Sequence, residues 1–188
     1  MSFQLSNKLY QGISPQQYVD GMTKNVDKFK AVLDGFTWDD TELEQFFDSL
    51  NNRDDLRCMI IAADWCGDCV RNVPVVFKAT EKAGIPTEVF IMEQHLDFID
   101  EYLTLGGRSI PVVLFTDTGG HLLGKWGPRP AHVQEVMIAF KGANPDREAA
   151  DYQENLTVAR TEMTRRYEEE SSYQTIVLNE LEQILSRV

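Results

Sequence analysis

From Ser14 onward, apolar residues recur at three- and four-residue steps: Tyr18, Met22, Val26, Phe29 and Val32/Leu33. That period predicts one amphipathic helix ending near Gly35. Ser14 as N-cap, Pro15 at the first helical position and Gln17 three residues after the cap mark its start. A second helix is predicted from about Asp40 to Leu50, with Leu43, Phe46, Phe47 and Leu50 on its buried face. Asn51–Asp55 reads as a turn. At Leu56 the texture changes. Leu56–Ala63 is a short, nearly continuous apolar run, as expected of a strand buried on both faces. A helical pattern follows from about Cys69 to Ala83 and stops at Gly84.

Thr87–Met92, Ile110–Phe115 and His121–Trp126 then read as strands. A short amphipathic helix (Leu96, Ile99, Tyr102, Leu103), closed by Gly106-Gly107, separates the first two. Asp117-Thr118-Gly119-Gly120 has the composition of a hairpin turn, and Pro130–Phe140 closes the set as a helix. Parallel strands with crossover helices followed by an antiparallel hairpin predict an α/β fold with a mixed central sheet and helices on both faces. Beyond Pro145 the composition shifts again. Residues 146–188 hold ten acids and five arginines with no Gly or Pro, and two apolar stripes at helical spacing. The stripes Tyr152–Tyr167 and Tyr173–Val188 predict one long helix or two helices meeting near Ser171-Ser172. The expected division is an N-terminal helical extension over residues 1–55, an α/β domain over 56–142 and a C-terminal helical extension over 143–188. The apolar faces of both extensions must be buried. Packing on the core satisfies this, and the sharper alternative makes one of them a homodimer seam or a wall of a restricted substrate groove.

Charge narrows the functional classes. Eighteen Lys and Arg against thirty Asp and Glu give a net charge of −12. With no run of basic residues, nucleic acid and anionic membrane surfaces are not expected partners. No apolar run approaches the roughly 18 residues of a spanning helix. Met1–Gly12 lacks the apolar stretch of a secretory signal. Three cysteines are too few for a disulfide scaffold, so a cytoplasmic protein with reduced thiols is expected.

Cys66 and Cys69 then stand out. They are spaced i and i+3 where a strand ends and a helix begins. In the first helical turn the two sulfurs share a face and come within disulfide reach. The first sulfur sits among unpaired backbone amides at the positive end of the helix dipole, which favours its thiolate. The second waits as a resolving thiol. Gly67 lets the turn close and Trp65 shields one side. The same C-x-x-C also begins zinc knuckles, but zinc needs two more ligands. Cys58, His95, His121 and His132 are the remaining candidates and none has the paired spacing, so no metal is expected. Cys58 reads as a small buried hydrophobe, and the histidines as solvated or lightly bonded residues.

Four separated features resemble the thioredoxin family over residues 56 to about 141: Trp65-Cys66-Gly67-x-Cys69 after the first core strand, Pro74 five residues after Cys69, Ser109-Ile110-Pro111 before an apolar strand, and Gly127 after the hairpin. The resemblance implies a thioredoxin-like fold and a thiol–disulfide oxidoreductase. Cys66 would be the attacking thiol and Cys69 the resolving thiol, with Ile110 and a cis Pro111 shaping the substrate groove. Its partners would be disulfide-containing proteins or small thiols and an unidentified reductant. No organic cofactor is implied, because the dithiol is itself the redox group. Two departures stand against the family pattern. Asp68 occupies the place usually held by Pro, where its charge opposes a neighbouring thiolate. Ile60 occupies the place of the usual buried acid, which leaves Asp64 and Asp68 as candidate proton acceptors for Cys69. Arg71, three residues after Asp68, is the expected partner offsetting that charge. These departures motivate the alternative of a binding or redox-sensing adaptor with little turnover.

Overall fold

Leu56–Ala62 (β1) is a strand with no polar side chain except Arg57 near its start, and its last five residues are fully buried. Such a strand is stable only when both edges are paired and both faces covered. The structure, a computed structural model, describes residues 3–169 and 173–188, and in it β1 lies inside a four-stranded sheet of order β2-β1-β3-β4. Thr87–Ile91 (β2) pairs with β1 in parallel, while Val112–Asp117 (β3) pairs with it antiparallel. Leu122–Trp126 (β4) folds back on β3 through the Asp117–Gly120 turn. The mixed sheet is as the sequence predicts, but only the first pair of strands is parallel.

The long predicted N-terminal helix is two helices, Pro15–Gly21 (α1) and Val26–Asp34 (α2). The reciprocal Ser14/Gln17 capping box starts α1. The apolar period runs on across the break at Met22–Asn25, yet Asn25 is left-handed (φ 55°) and the backbone N–H groups of Thr23 and Lys24 turn aside to donate to the Asp64 carboxylate at 2.8 and 2.9 Å. A tertiary acceptor has overridden a local period. Thr41–Ser49 (α3) follows, its first turn capped by Asp40. Before α1, Ile13 exchanges two backbone hydrogen bonds with Val89 and covers the outer edge of β2.

Gly67–Lys82 (α4), with Pro74 inside it, packs against α2 and α3. Leu96–Asp100 (α5) buries Phe98 and Ile99 in the main core. Ala131–Ala143 (α6) packs Val136 and Phe140 against Tyr152 and Ala159 of Tyr152–Glu169 (α7), as a second cluster apart from the main core. Tyr173–Leu185 (α8) buries Val177, Leu178, Leu181 and Leu185 in the main core, lying against α4, α3 and β4. Glu180 of α8 bridges its neighbours, accepting from Trp126 Nε1 at 2.6 Å and from the otherwise uncapped Ala131 N–H at 2.8 Å. The expected meeting point at Ser171-Ser172 lies outside the described residues.

At Gly124, β4 and α8 approach so closely that an added Cβ would collide with the Cγ2 methyl of Ile184. Gly124→Ala is expected to destabilise the fold by about 1–3 kcal/mol through overpacking, read as a lowered midpoint in denaturant unfolding. An unchanged midpoint would mean that α8 does not seat there.

Candidate active site

The carboxyl end of β1 delivers Ala63–Cys66 to the N-terminus of α4. Cys66 is the N-cap residue, with extended backbone (φ −82°, ψ 122°) and no side-chain cap bond, so the first amides of the helix are free to face its sulfur. Cys66 is half-buried and Cys69 is fully buried behind it; both are free thiols. The Cys69 side chain is the largest influence holding the Cys66 thiol below the ordinary range. Burial opposes the shift, the backbone N–H groups of Cys69 and Asp68 favour it, and the Asp68 charge acts against it. For Cys69 burial comes first and drives the thiol well up, with the Cys66 side chain adding to it. The pair is therefore asymmetric, with a lowered, partly accessible thiol in front of a raised, enclosed one.

The predicted groove residues lie opposite. Ile110–Pro111 is a cis peptide, and Cys66 Sγ sits 3.3 Å from the Ile110 carbonyl oxygen, to which it donates. Gly127, with φ 104°, passes so close to Pro111 that a Cβ would collide with its carbonyl oxygen. Gly127–Pro128 is a second cis peptide that nothing in the sequence period announces. Trp65 is 46% exposed and donates its Nε1 to Glu93 at 2.5 Å. Gly67 opens α4 with Arg71 against it, Nη1 of Arg71 lying 3.5 Å from the Gly67 carbonyl.

Asp68 differs from expectation. Its partner is not Arg71 but Arg129, which lies just after Gly127–Pro128 and donates from Nε and Nη2 at 3.0 and 2.6 Å. Both side chains are nearly enclosed, at 16% and 10% exposure. The other carboxylate oxygen accepts from the Tyr167 hydroxyl of α7 at 3.0 Å. Tyr167 in turn accepts from buried Asn72 at 2.8 Å. Arg71 lies instead over the Tyr167 ring, 5.0 Å from its centroid. Burial, then the Asp68 charge, pushes the Tyr167 hydroxyl up, so it serves as a donor.

Neither expected proton acceptor is free. Asp68 is committed to Arg129 and Tyr167. Asp64 accepts from Thr23 and Lys24; burial raises its carboxyl, but those hydrogen bonds outweigh burial and leave it lowered. Ile60 fills the core between Val89 and Val113. The group that sequence reasoning places only on a helix face is Tyr18. Its ring packs edge-on against Phe29 and Phe77, and its hydroxyl is buried without a hydrogen-bond partner among the described residues. Burial, then the Cys69 charge, raises this hydroxyl, which places it in the field of the dithiol. Cys58 is fully buried in β1, its thiol raised by burial. His121 is exposed and bonded to Asp117, whereas both ring nitrogens of His132 are buried without partners among the described residues, contrary to the solvated reading. Among the described residues, no three Cys, His, Asp or Glu side chains cluster as metal ligands. No helix there is long and apolar enough to cross a membrane.

A β1–dithiol–α4 unit faced by a cis proline defines a thioredoxin-like α/β protein. The sequence profile described as thioredoxin matches residues 12–144, and the chain belongs to that family. The match takes in the N-terminal helices as well as the segment from Leu56, and it ends before α7. The crystal structure of a Pseudomonas aeruginosa protein of unknown function superposes with a TM-score of 0.65 at 18% identity, covering 98% of each chain. A crystal structure of an HIV epitope-scaffold gives a TM-score of 0.47 at 17% identity, covering 94% of this chain and 99% of that one. No curated protein matches the sequence.

Asp64 ties the dithiol loop to the break between α1 and α2. Asp64→Ala is expected to cost about 1–2 kcal/mol, since it removes an acceptor serving two backbone amides and a hydroxyl. Because the folded carboxyl is lowered, this contribution is present above the unfolded value and is lost as pH falls through the folded one. Thermal unfolding of both proteins at pH 7 and near pH 3 should show the gap closing in acid. A gap that persists there would locate the effect elsewhere.

Proposed function

We propose that the protein is a thiol–disulfide oxidoreductase in which Cys66 attacks and Cys69 resolves. The observation that carries this reading is the asymmetry of the pair: a partly buried thiol at the N-terminus of α4, lowered by its contact with Cys69 and by helix amides, backed by a fully buried thiol driven up by burial. Two readings of one C-x-x-C compete, a metal knuckle and an exchange centre. A knuckle needs four comparable ligands, whereas exchange needs one nucleophile and one reserve.

The steps balance as two displacements. The Cys66 thiolate attacks one sulfur of a substrate disulfide, forming a mixed disulfide and releasing the other sulfur as a thiolate that takes up a proton. Cys69 then gives up its proton and attacks Cys66 Sγ. The Cys66–Cys69 disulfide forms and the second substrate sulfur leaves as a thiolate. An external dithiol donor of unidentified nature returns the pair to the reduced state. The substrates are disulfide-bearing proteins or small disulfides that reach past Trp65 to the Ile110–Pro111 backbone. Cys69 starts each cycle protonated, so its activation is the step the site must assist.

Reduced protein treated with iodoacetamide across pH should show Cys66 alkylating with a midpoint below the ordinary thiol value of about 8.5, while Cys69 stays unmodified at pH 9. Equal labelling of the two would remove the asymmetry on which the reading stands. Cys66→Ser is expected to abolish disulfide reductase activity, and Cys69→Ser to trap substrates as mixed disulfides released by reductant. The reduction potential of the pair should fall within roughly −270 to −120 mV. A pair that forms no intramolecular disulfide, with partners surviving reductant, would instead identify an adaptor.

A further inference from the structure

Asp68 stands between the two cysteines in sequence, where its charge opposes a thiolate on Cys66. An acidic protein gains nothing from one more carboxylate at this point unless a cation answers it. Around Cys66 stand Cys69 and Asp68 on α4 and the Tyr18 hydroxyl from α1, whose surroundings also include Asp64 and Glu93. Each of these is neutral or negative. Lys24 faces Asp64, and two arginines stand beside Asp68. Arg71 lies over the Tyr167 ring and against the Gly67 carbonyl, and it makes no ion pair with Asp68. Arg129 grips Asp68 with two donors and is itself held by Gln134 Oε1 at 2.7 Å. Gln134 is one turn into α6, so the guanidinium is fixed between the loop that follows the cis Pro128 and the helix that carries the dithiol.

We propose that Arg129 is a positioning residue of the dithiol: its guanidinium, locked on Asp68 with help from Tyr167, offsets much of the carboxylate charge so that the first turn of α4 remains favourable to a Cys66 thiolate. The inference rests on the reading of Cys66 as the attacking thiolate. A carboxylate in the second position of the C-x-x-C reaches across 61 residues to Arg129 and 99 to Tyr167. The dithiol turn is thereby fastened both to the Pro128 loop and to a C-terminal helix beyond the family match. The ordinary proline at this position would make neither bond.

Charge cancellation and mere bracing predict different signs, so single and double substitutions separate them. The readout is the pH midpoint of Cys66 alkylation by iodoacetamide in the reduced full chain, with the modified peptide identified by mass spectrometry. Arg129→Met should raise the midpoint by about one pH unit, since it leaves a like charge uncompensated beside the thiol; well below the midpoint this is about a tenfold loss of thiolate. Asp68→Asn should lower it, because the opposing charge goes while Arg129 stays. The double variant should return close to the parent value, and Arg129→Lys, which keeps the charge, should stay within a few tenths of a unit. Should Arg129→Met fail to fold, Asp68→Asn and Arg129→Lys still carry opposite expectations to those of a brace. An unmoved midpoint in Arg129→Met, or shifts of the same sign in Arg129→Met and Asp68→Asn, would overturn the proposal. The assay uses no protein substrate, so it stands whether or not Cys69→Ser traps mixed disulfides; absence of trapping would count against the oxidoreductase reading alone.

Discussion

β1 is paired along both edges and covered on both faces, so its one charged side chain, Arg57, stands near its start and its one thiol, Cys58, is sealed in the core and raised by burial. The reachable chemistry lies where the strand ends. At its carboxyl end the chain turns directly into α4, whose first amides have no partners within the helix. Those amides and a sulfur at the N-cap position satisfy each other. The position that elsewhere in the family carries a buried acid is Ile60, enclosed between two valines. The packing that encloses β1 thus leaves the carboxylates of the site beyond the strand's carboxyl end, while Cys69 and the Tyr18 hydroxyl stay buried.

At that end the electrostatics are unusually crowded for so acidic a chain. Asp64 and Asp68 flank the dithiol, and each is consumed by a specific set of donors: backbone amides at the α1–α2 break for the first, a guanidinium and a phenol for the second. The Tyr18 hydroxyl, buried on the inner side, has no hydrogen-bond partner among the described residues. The charges nearest the sulfurs are therefore fixed in place, and the dithiol sees an environment set by hydrogen bonds more than by solvent.

Local signals in the sequence carried much of this. The C-x-x-C at a strand-to-helix junction, Pro111 before an apolar strand, the Ser14 cap and the uninterrupted apolar run of β1 are all written within a few residues of where they act. What escaped was written across distance. Arg71 is three residues from Asp68 and was the natural helical partner, but Arg129 has the better-placed fork. The apolar period through Met22 and Val26 is a faithful helix signal that loses to hydrogen bonds from Asp64, some forty residues away. Tyr167 sits in a stripe whose other members pack on α6, and periodicity cannot show that one of them turns toward the active site. The second cis peptide and the buried nitrogens of His132 have no local signature at all.

The bridge made by Glu180 bears on how the chain can be divided. A segment ending with the family match at residue 144 would strip Trp126 of its acceptor, leave the first turn of α6 without a cap, and bare the main-core face that α8 covers. It would also take Tyr167 from Asp68. The stretch that carries the family's recognisable features is thus narrower than the stretch that must be present for those features to hold their shape. Here the unit of homology and the unit of folding have different lengths.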